Sequence, residues 1–216
     1  MATIVNSEKC TESTDGKDIS WTAAATAGNM VLVFLCNTPT TAPAGWVQVA
    51  QNSPPGGYGH GPAGIIELAS AAGGETSVTV DGIGFSGAHE TYKVEINGAD
   101  ATVAVGAWTY TTAWDTVPIV TAPVTPATGS PAFVFGLYIK IEPNAGHYWT
   151  GSSGTILQQD GSVAGMQGMI MYEAIADPSG SYATSATFTY DQPHWQSVAI
   201  AVSVASVVCD SPVMFD

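Results

Sequence analysis

The sequence contains no arginine, and its only basic residues are four lysines, set against 18 acidic residues. The formal net charge is therefore −14, although only 10% of the residues are charged. Without arginine the chain lacks the side chain that most often grips phosphates and guanine edges, and its negative field repels polyanions. We therefore expect no binding of nucleic acid, and an anionic membrane surface is disfavoured for the same reason.

The chain also lacks a long hydrophobic run and a regular cysteine pattern. Its longest apolar run, from Met30 to Cys36, is far shorter than the roughly 20 residues that a membrane-spanning helix needs. The N-terminus has no basic start followed by an apolar stretch, so we expect a secretory signal to be absent or already removed. Cys10, Cys36 and Cys209 show no CxxC spacing. This predicts buried or unreactive thiols, with a Cys10–Cys209 bridge as the alternative.

Strand patterns fill most of the chain. Short stretches rich in Val, Ile, Thr and aromatic residues are interrupted by Gly, Pro, Ser and Asn clusters roughly every 8 to 15 residues, which is typical of an all-β sandwich or barrel. Residues 133–141 alternate clearly, with Phe133, Phe135, Leu137, Ile139 and Ile141 on one face. The predicted strands are 3–10, 19–22, 30–37, 47–51, 63–69, 76–81, 90–96, 103–110, 117–120, 133–141, 155–160, 166–174, 183–190 and 196–204.

The second half of the chain resembles the first. Residues 30–37 match 133–140, residues 64–80 match 168–190, and residues 89–96 match 194–201. We therefore predict one domain over residues 1–216, a single jelly-roll-like antiparallel β-sandwich built of two pseudo-repeated halves, about 27–100 and 130–204. A C-terminal tail, 205–216, follows. Segment 121–132 is either a crossover between sheets or a linker between two domains; one domain is preferred because each half alone exposes sheet edges.

Several segments resemble a known family. Residues 27–34 (AGNMVLVF) are followed by Ala42-Pro43-Ala44-Gly45-Trp46, then by residues 67–73 (ELASAAG) and later by Asn97-Gly98-Ala99-Asp100. This order is similar to the jelly-roll, lectin-like β-sandwich domains of tailed-bacteriophage virion proteins and of bacterial surface or secreted proteins. The resemblance covers nearly the whole chain, although the second half lacks the APAGW motif. It implies a structural or adhesive role and no catalytic residues.

Motifs for catalysis or for a metal site are missing from the sequence. No G-x-S-x-G elbow, Walker glycine pattern or HExxH is present, and His60, His89, His147 and His194 have no ligand spacing. Glu67 and Glu173 are repeat equivalents at strand ends, where a solvated carboxylate is the expected arrangement. We therefore predict a protein that is not an enzyme and holds no cofactor. Calcium is a weaker alternative, because acidic residues stand near predicted turns: Asp81, Asp100, Asp115, Asp160, Asp177 and Asp191.

Aromatic and polar residues in predicted loops are the best candidates for recognition. Flat rings beside hydrogen-bonding groups suit sugar rings, and the same residue types are common in protein interfaces. Trp195 can equally be a core residue, and Tyr148 and Trp149 can either pack within their loop or contact a ligand. The ligand or interface candidates are Tyr58, His60, His147, Tyr148, Trp149, His194 and Trp195. In the tail, Val213, Met214 and Phe215 are predicted to anchor into a partner.

These observations predict a non-enzymatic structural protein of a tailed-phage virion, either a capsid decoration or a tail-associated subunit. Its partners would be other virion proteins, including further copies of itself, and it would be assembled in the host cytoplasm. The alternative is a carbohydrate-binding adhesin module that recognises host surface glycans.

Overall fold

The structure is a computed structural model that describes residues 2–12, 17–36, 41–52, 63–80, 90–111, 118–127, 130–141, 149–151, 153–159, 166–176, 178–188 and 195–205. Every helix or strand assigned within these ranges is a β-strand. All the strand pairs are antiparallel. The predicted all-β, antiparallel class is therefore confirmed.

The strands are numbered in the order in which they occur along the chain. They are β1 (Thr3–Lys9), β2 (Thr11–Glu12), β3 (Asp18–Ser20), β4 (Met30–Leu35), β5 (Val47–Asn52), β6 (Ala63–Leu68), β7 (Ser77–Thr79), β8 (Thr91–Asn97), β9 (Ala99–Val105), β10 (Thr109–Thr111), β11 (Ile119–Val120), β12 (Ala132–Ile141), β13 (Trp149–Gly151), β14 (Thr155–Gln159), β15 (Met166–Ile175), β16 (Ser185–Phe188) and β17 (Trp195–Val204).

Two large sheets contain most of these strands. One has five strands in the order β1-β8-β4-β6-β5, all from the N-terminal half of the chain. The other has six strands, with β10-β17-β12-β15-β14 in order and β9 beside β10 along the same edge of β17. The tight turn at Gly98, whose φ of 71° favours glycine, leads from β8 of the first sheet to β9 of the second.

The two large sheets pack face to face through one apolar cluster. Alternate residues of β4 and β12 point into it, and the rings of Phe34 and Phe135 lie 5.9 Å apart across the interface. Phe133, Phe135, Leu137 and Ile139 all belong to this cluster, as their alternation predicts. At the edge, Gln158 of β14 donates a hydrogen bond to the Ser7 carbonyl of β1, 2.8 Å away.

A small three-stranded sheet covers the outer face of each large sheet. The sheet β2-β3-β7 buries Val31, Val33 and Leu35 on the far side of β4. The sheet β11-β16-β13 packs on Tyr138, Met169 and Met171 of the other large sheet. Both faces of the central strands are therefore buried, which explains why all six residues of β4 are inaccessible.

Some element boundaries differ from the predictions. The predicted strand 103–110 is interrupted at residues 106–108, which separate β9 from β10. The strands β2 and β13 were not predicted. Segment 121–132 joins β11 of an outer sheet to β12 of a large sheet, so its described part is a connection between sheets.

Candidate functional site

Five of the predicted recognition residues lie outside the described residues: Tyr58, His60, His147, Tyr148 and His194. The strand ends that flank their segments are nevertheless neighbours. Asn52, which ends β5, donates to the Gln196 side chain in β17 at 2.9 Å. Lys140, near the end of β12, pairs with Trp195, which begins β17. The three segments are therefore attached at the same end of the molecule.

Trp149 and Trp195, the two recognition candidates among the described residues, belong to the cluster beneath an outer sheet. The Trp149 ring is fully buried and meets Phe188 edge-on, with 4.9 Å between ring centroids. Its second neighbour is Tyr138, at 5.7 Å. Trp195 is half-buried and packs against the same cluster. The Trp149 ring thus has no exposed face with which to stack on a ligand.

The tail residues Val213, Met214 and Phe215 also lie outside the described residues. The described chain runs to Ala205, whose N–H donates to the carbonyl of Gly98. The exit point of the tail is therefore at the end of the molecule opposite to Trp195, since β17 runs the full length of its sheet between them.

Exposed apolar side chains are concentrated on the sheet edges. The large hydrophobic residues that are exposed within the described ranges are Val5, Val47, Val105, Tyr110 and Val120. All five stand on edge strands, namely β1, β5, β9, β10 and β11. Three of these strands, β5, β10 and β11, contain no charged residue. Charged side chains are one of the ways in which proteins protect sheet edges, and these three strands lack them.

β-Bulges interrupt the pairing of two edge strands, β5 and β14. In β5 the register shifts between Gln48 and Ala50, and in β14 it shifts between Ile156 and Gln158. The residues at the two shifts, Val49 and Leu157, both pack against the cluster between the large sheets. A bulge hinders continuous pairing with another strand. Contacts at the edges of β5 and β14 would therefore be made by side chains rather than by an extended backbone ladder.

An aromatic pocket of about 260 Å³ opens at the end of the molecule from which the tail departs. The rings of Phe133 and Tyr172 meet edge-on in its wall, 5.8 Å apart. Its lining contains no charged residue and consists of Ala2, Thr3, Ile4, Phe133, Tyr172 and Ala174. Sequence reasoning missed this pocket, because its residues come from three strands that are distant in the chain.

A buried carboxylate joins the two large sheets at the end of the molecule opposite to the pocket. Glu90, immediately before β8, is 1% exposed. Its Oε2 accepts a hydrogen bond from the backbone N–H of Gly168 at 2.5 Å, and the Tyr92 hydroxyl lies at the same distance. Lys9 pairs with Oε1 at 3.6 Å. These hydrogen bonds and this ion pair link polar groups within an otherwise apolar interface between the sheets. The role of Glu90 is therefore structural.

A second buried charge network holds the connection between β3 and β4. Lys93 is fully buried, and its Nζ contacts Glu95 at 3.0 Å and Glu8 at 3.7 Å. Glu95 also accepts from the Thr26 N–H and the Asn29 side chain. Burial acts to raise the pKa of Glu95, but the hydrogen bonds from Thr26, Asn29 and Lys93 outweigh it and lower that pKa. The fold therefore stabilises the charged form of Glu95.

The two carboxylates that were considered as a pair face different sides of their sheets. Glu67 is opposite Leu32, which belongs to the cluster between the large sheets, whereas Glu173 is opposite Val134, which belongs to an outer cluster. Residues directly opposite across strands share a face. Glu67 is only 4% exposed, so its expected solvation was wrong, and burial raises its pKa. The two residues therefore do not form a glycosidase-like pair.

Cys10 and Cys36 are free and buried. Burial, followed by the nearby Glu8 and Glu12, raises the pKa of Cys10 to about 12. Burial and then Glu90 raise the pKa of Cys36 well above its ordinary value. Both thiols are therefore protonated at neutral pH and chemically inert. Cys209 lies outside the described residues.

The described part of the chain contains no cluster of three or more His, Cys, Asp or Glu side chains that could hold a metal ion. Of the aspartates considered for calcium, only Asp100 lies within it. No helix long and apolar enough to cross a membrane occurs among the described residues.

Comparison with known proteins gives no relative. No family model matches the chain, and neither the curated proteins nor the solved structures contain a match.

Proposed function

We propose that this protein is a non-enzymatic structural subunit of a tailed-phage virion, a capsid decoration or tail-associated protein that works through protein–protein contacts. The observation that carries the proposal is the position of Val5, Val47, Val105, Tyr110 and Val120 on edge strands. The backbone of an edge strand is free to pair with another chain, and the exposed side chains on it are available for contact with a partner. In this proposal the subunit is made in the host cytoplasm and assembles there with further copies of itself and with other virion proteins.

The distribution of charge supports this assignment. With a net charge of −14, two copies repel one another over most of their surface. The uncharged strands β5, β10 and β11 are places where copies can approach without placing like charges together. The bulges in β5 and β14 act against uncontrolled strand addition, which would otherwise lead to aggregation.

A jelly-roll domain made of two repeated halves is part of the same proposal. The order β1-β8-β4-β6-β5 corresponds to β10-β17-β12-β15-β14, with β9 as an additional strand of the second sheet, and each half has a three-stranded outer sheet. The bulges at Val49 and Leu157 also occupy corresponding strands. These correspondences support duplication of an ancestral unit, with a boundary near Gly98 rather than within 121–132.

A glycan-binding adhesin is the second candidate, and a different observation favours it. The segments that carry Tyr58, His60, His147, Tyr148 and His194 are attached to neighbouring strand ends. Ring residues attached together at one end suit a sugar-binding surface. In this alternative Trp149 contributes through packing alone, because its ring is buried.

The deciding experiment is mass spectrometry of purified phage particles from the source of this sequence, combined with imaging of the intact particle. We expect the protein at a fixed copy number per particle and in a regular ring or lattice. Its absence from particles, together with a stable monomer in solution, would contradict the proposal. Specific binding on a glycan array, lost on replacing Tyr148 with Ala, would instead support the adhesin.

A further inference from the structure

The pocket between Phe133 and Tyr172 is an opening in the core between the two large sheets. Phe133 and Ala2 are buried members of that core, whereas Ile4 and Tyr172 pack against it and remain partly exposed. The volume of about 260 Å³ lies below the roughly 300 to 1,000 Å³ of typical small-molecule sites. The pocket therefore has the size to receive one or two apolar side chains.

The last described residue, Ala205, lies close to this pocket. Its N–H donates to the Gly98 carbonyl at 3.2 Å. Gly98 also approaches Ala2, since a Cβ on Gly98 would lie 3.2 Å from the Ala2 Cα. Ala2 and Ala205 are thus both neighbours of Gly98, which places them within two strand spacings of each other, or about 10 Å. Because Ala2 lines the pocket, the tail begins about 10 Å from it.

The tail beyond Ala205 contains side chains that suit an aromatic pocket. Met214 and Phe215 follow Ala205 by nine and ten positions. A methionine sulfur and a phenyl ring both make favourable contacts with aromatic rings, which Phe133 and Tyr172 supply. The lining has no charged residue, so no ionised group is desolvated when apolar side chains enter.

The length of the tail favours the pocket of the same chain. Nine or ten extended residues span about 30 to 33 Å, which is about three times the distance to be covered. Residues 210–212 are Asp, Ser and Pro, which favour a turn that directs the following residues back toward Ala205. Attachment to the same chain also gives Met214 and Phe215 a high effective concentration at this pocket, which the pocket of a separate molecule lacks.

We propose that Met214 and Phe215 fold back into the Phe133–Tyr172 pocket of their own chain and close the opening in the core between the large sheets. The tail is then a strap that joins the end of β17 to β1 and β15, and its apolar side chains are covered without a partner. This contact needs no second molecule, so it is independent of the proposed assembly function.

A double-mutant cycle on the full-length protein tests the contact. The tail variant is Met214→Ser with Phe215→Ser, and the pocket variant is Ala174→Arg, which places a long charged side chain at the exposed rim. We expect each to lower the melting temperature by about 3 °C or more, because apolar surface is no longer covered. The variant that combines them should melt at the same temperature as the pocket variant, because a tail excluded from the pocket has nothing further to lose.

Two matched controls keep this result specific. Thr11→Arg adds the same charge at an exposed position eight residues along the chain from Thr3, and its effect should add to that of the tail variant. Val207→Ser with Val208→Ser removes apolar side chains from the nearer part of the tail, and its effect should add to that of Ala174→Arg. If Ala174→Arg does not fold, Thr3→Arg on the same rim replaces it.

The outcomes of the cycle are decisive in both directions. Additive effects of the tail and pocket variants would overturn the proposal, because independent sites do not share a contact. Coupling of Val207 and Val208 to the pocket, in place of Met214 and Phe215, would overturn it as well, since the nearer segment would then be the occupant.

A disulfide trap distinguishes the chain's own pocket from that of a second copy. The variant carries Ala174→Cys and Phe215→Cys, with Cys209→Ser to remove the other tail thiol; Cys10 and Cys36 are buried and do not compete. After oxidation in dilute solution, we expect a monomer in which peptide mapping finds the link between positions 174 and 215.

A link found only in dimers would mean that the pocket receives the tail of another copy, and the proposal would be wrong. The absence of any link would contradict it too. If the link forms within monomers of a protein that is absent from phage particles, the strap is supported and the assembly function alone fails.

Discussion

Gly168 donates its backbone N–H to the carboxylate of Glu90 across the interface between the two large sheets, with 2.5 Å between nitrogen and oxygen. The carbonyl of the same glycine lies 2.7 Å from the Tyr92 hydroxyl. A side chain at position 168 would meet Cys36 Sγ at 2.6 Å and a Tyr92 ring carbon at 2.8 Å. The close approach of β8 and β15 therefore depends on the absence of a Cβ.

Replacement of Gly168 by Ala should destabilise the fold by about 1 to 3 kcal/mol, because the added methyl group overpacks the interface between the sheets. Urea unfolding measured by tryptophan fluorescence checks this. Gly180→Ala is the matched control, since a Cβ there meets nothing nearer than Tyr182 at 3.9 Å. Equal stability of the two variants would contradict the tight contact at Gly168.

Removal of the Glu90 carboxylate should also weaken the link between the sheets. In Glu90→Ala the buried N–H of Gly168 loses its acceptor, and a loss of about 1 to 3 kcal/mol is expected from such an unsatisfied donor. Glu90→Gln keeps an acceptor oxygen of the same shape and should lose less. Hydrogen exchange of the Gly168 amide, measured by NMR, should accelerate in the alanine variant and change little in the glutamine variant.

Two glutamates, Glu95 and Glu67, should make the stability of the protein depend on pH, and their effects should have opposite signs. Glu95 has a lowered pKa in the fold, so its contribution is present above the ordinary pKa of 4.5 and is lost as the pH falls through the folded value. Glu67 has a raised pKa, so its contribution is present below 4.5 and is lost as the pH rises through the folded value.

Replacing each glutamate by glutamine, its isosteric amide, separates the two pH dependences. Glu95→Gln should lower the melting temperature at pH 7, and the difference from the wild type should shrink in acid. Glu67→Gln should raise the melting temperature at pH 7, and that gain should disappear below pH 4.5. Calorimetric scans between pH 3 and pH 8 provide the measurement; a lower melting temperature for Glu67→Gln at pH 7 would argue against a desolvated carboxylate.

Cys10 and Cys36 should resist alkylation in the folded protein, because both thiols are buried and the pKa of Cys10 is raised to about 12. Peptide mapping after iodoacetamide treatment at pH 8 should find both unmodified, and both should react fully in 6 M guanidinium chloride. Rapid native labelling of Cys36 would mean that the two large sheets separate readily.

The apolar edges can be tested by adding charge to them. Val47→Lys and Tyr110→Lys should weaken self-association at least severalfold, while the free energy of unfolding changes by no more than about 0.5 kcal/mol, as is usual for exposed positions. Ser70→Lys, in an exposed connection, adds the same charge away from these edges. Sedimentation velocity and urea unfolding report the two quantities; unchanged association in both edge variants would count against edge contacts.

Local patterns were sufficient for much of the secondary structure. Alternation identified β12, and the ends of β4 and β6 were predicted to within two residues. These features depend on neighbouring residues and on the period of a strand. The two-residue strand β2 and the three-residue strand β13 were missed, because such short stretches have no period of their own.

The candidate recognition site was only partly accessible to sequence reasoning. Trp149 and Trp195 were selected as ring residues beside loops, but the structure buries the first and half-buries the second under an outer sheet. Glu67 was expected in solvent, yet its strand lies between two packed faces. Residue type identified the aromatic candidates, but it did not predict which of them are exposed.

By itself the sequence determined the all-β class, because propensity and alternation are local properties. Its charge, which is additive over the chain, leads to the prediction that polyanionic partners are excluded. Only the tertiary structure decided that Glu90 meets Gly168, that Lys93 is buried beside Glu8, and that Phe133 and Tyr172 form a pocket with Ile4. Each of these contacts joins residues that are not neighbours on one strand. Their meeting depends on how sheets stack and strands pair, and no local pattern carries that information.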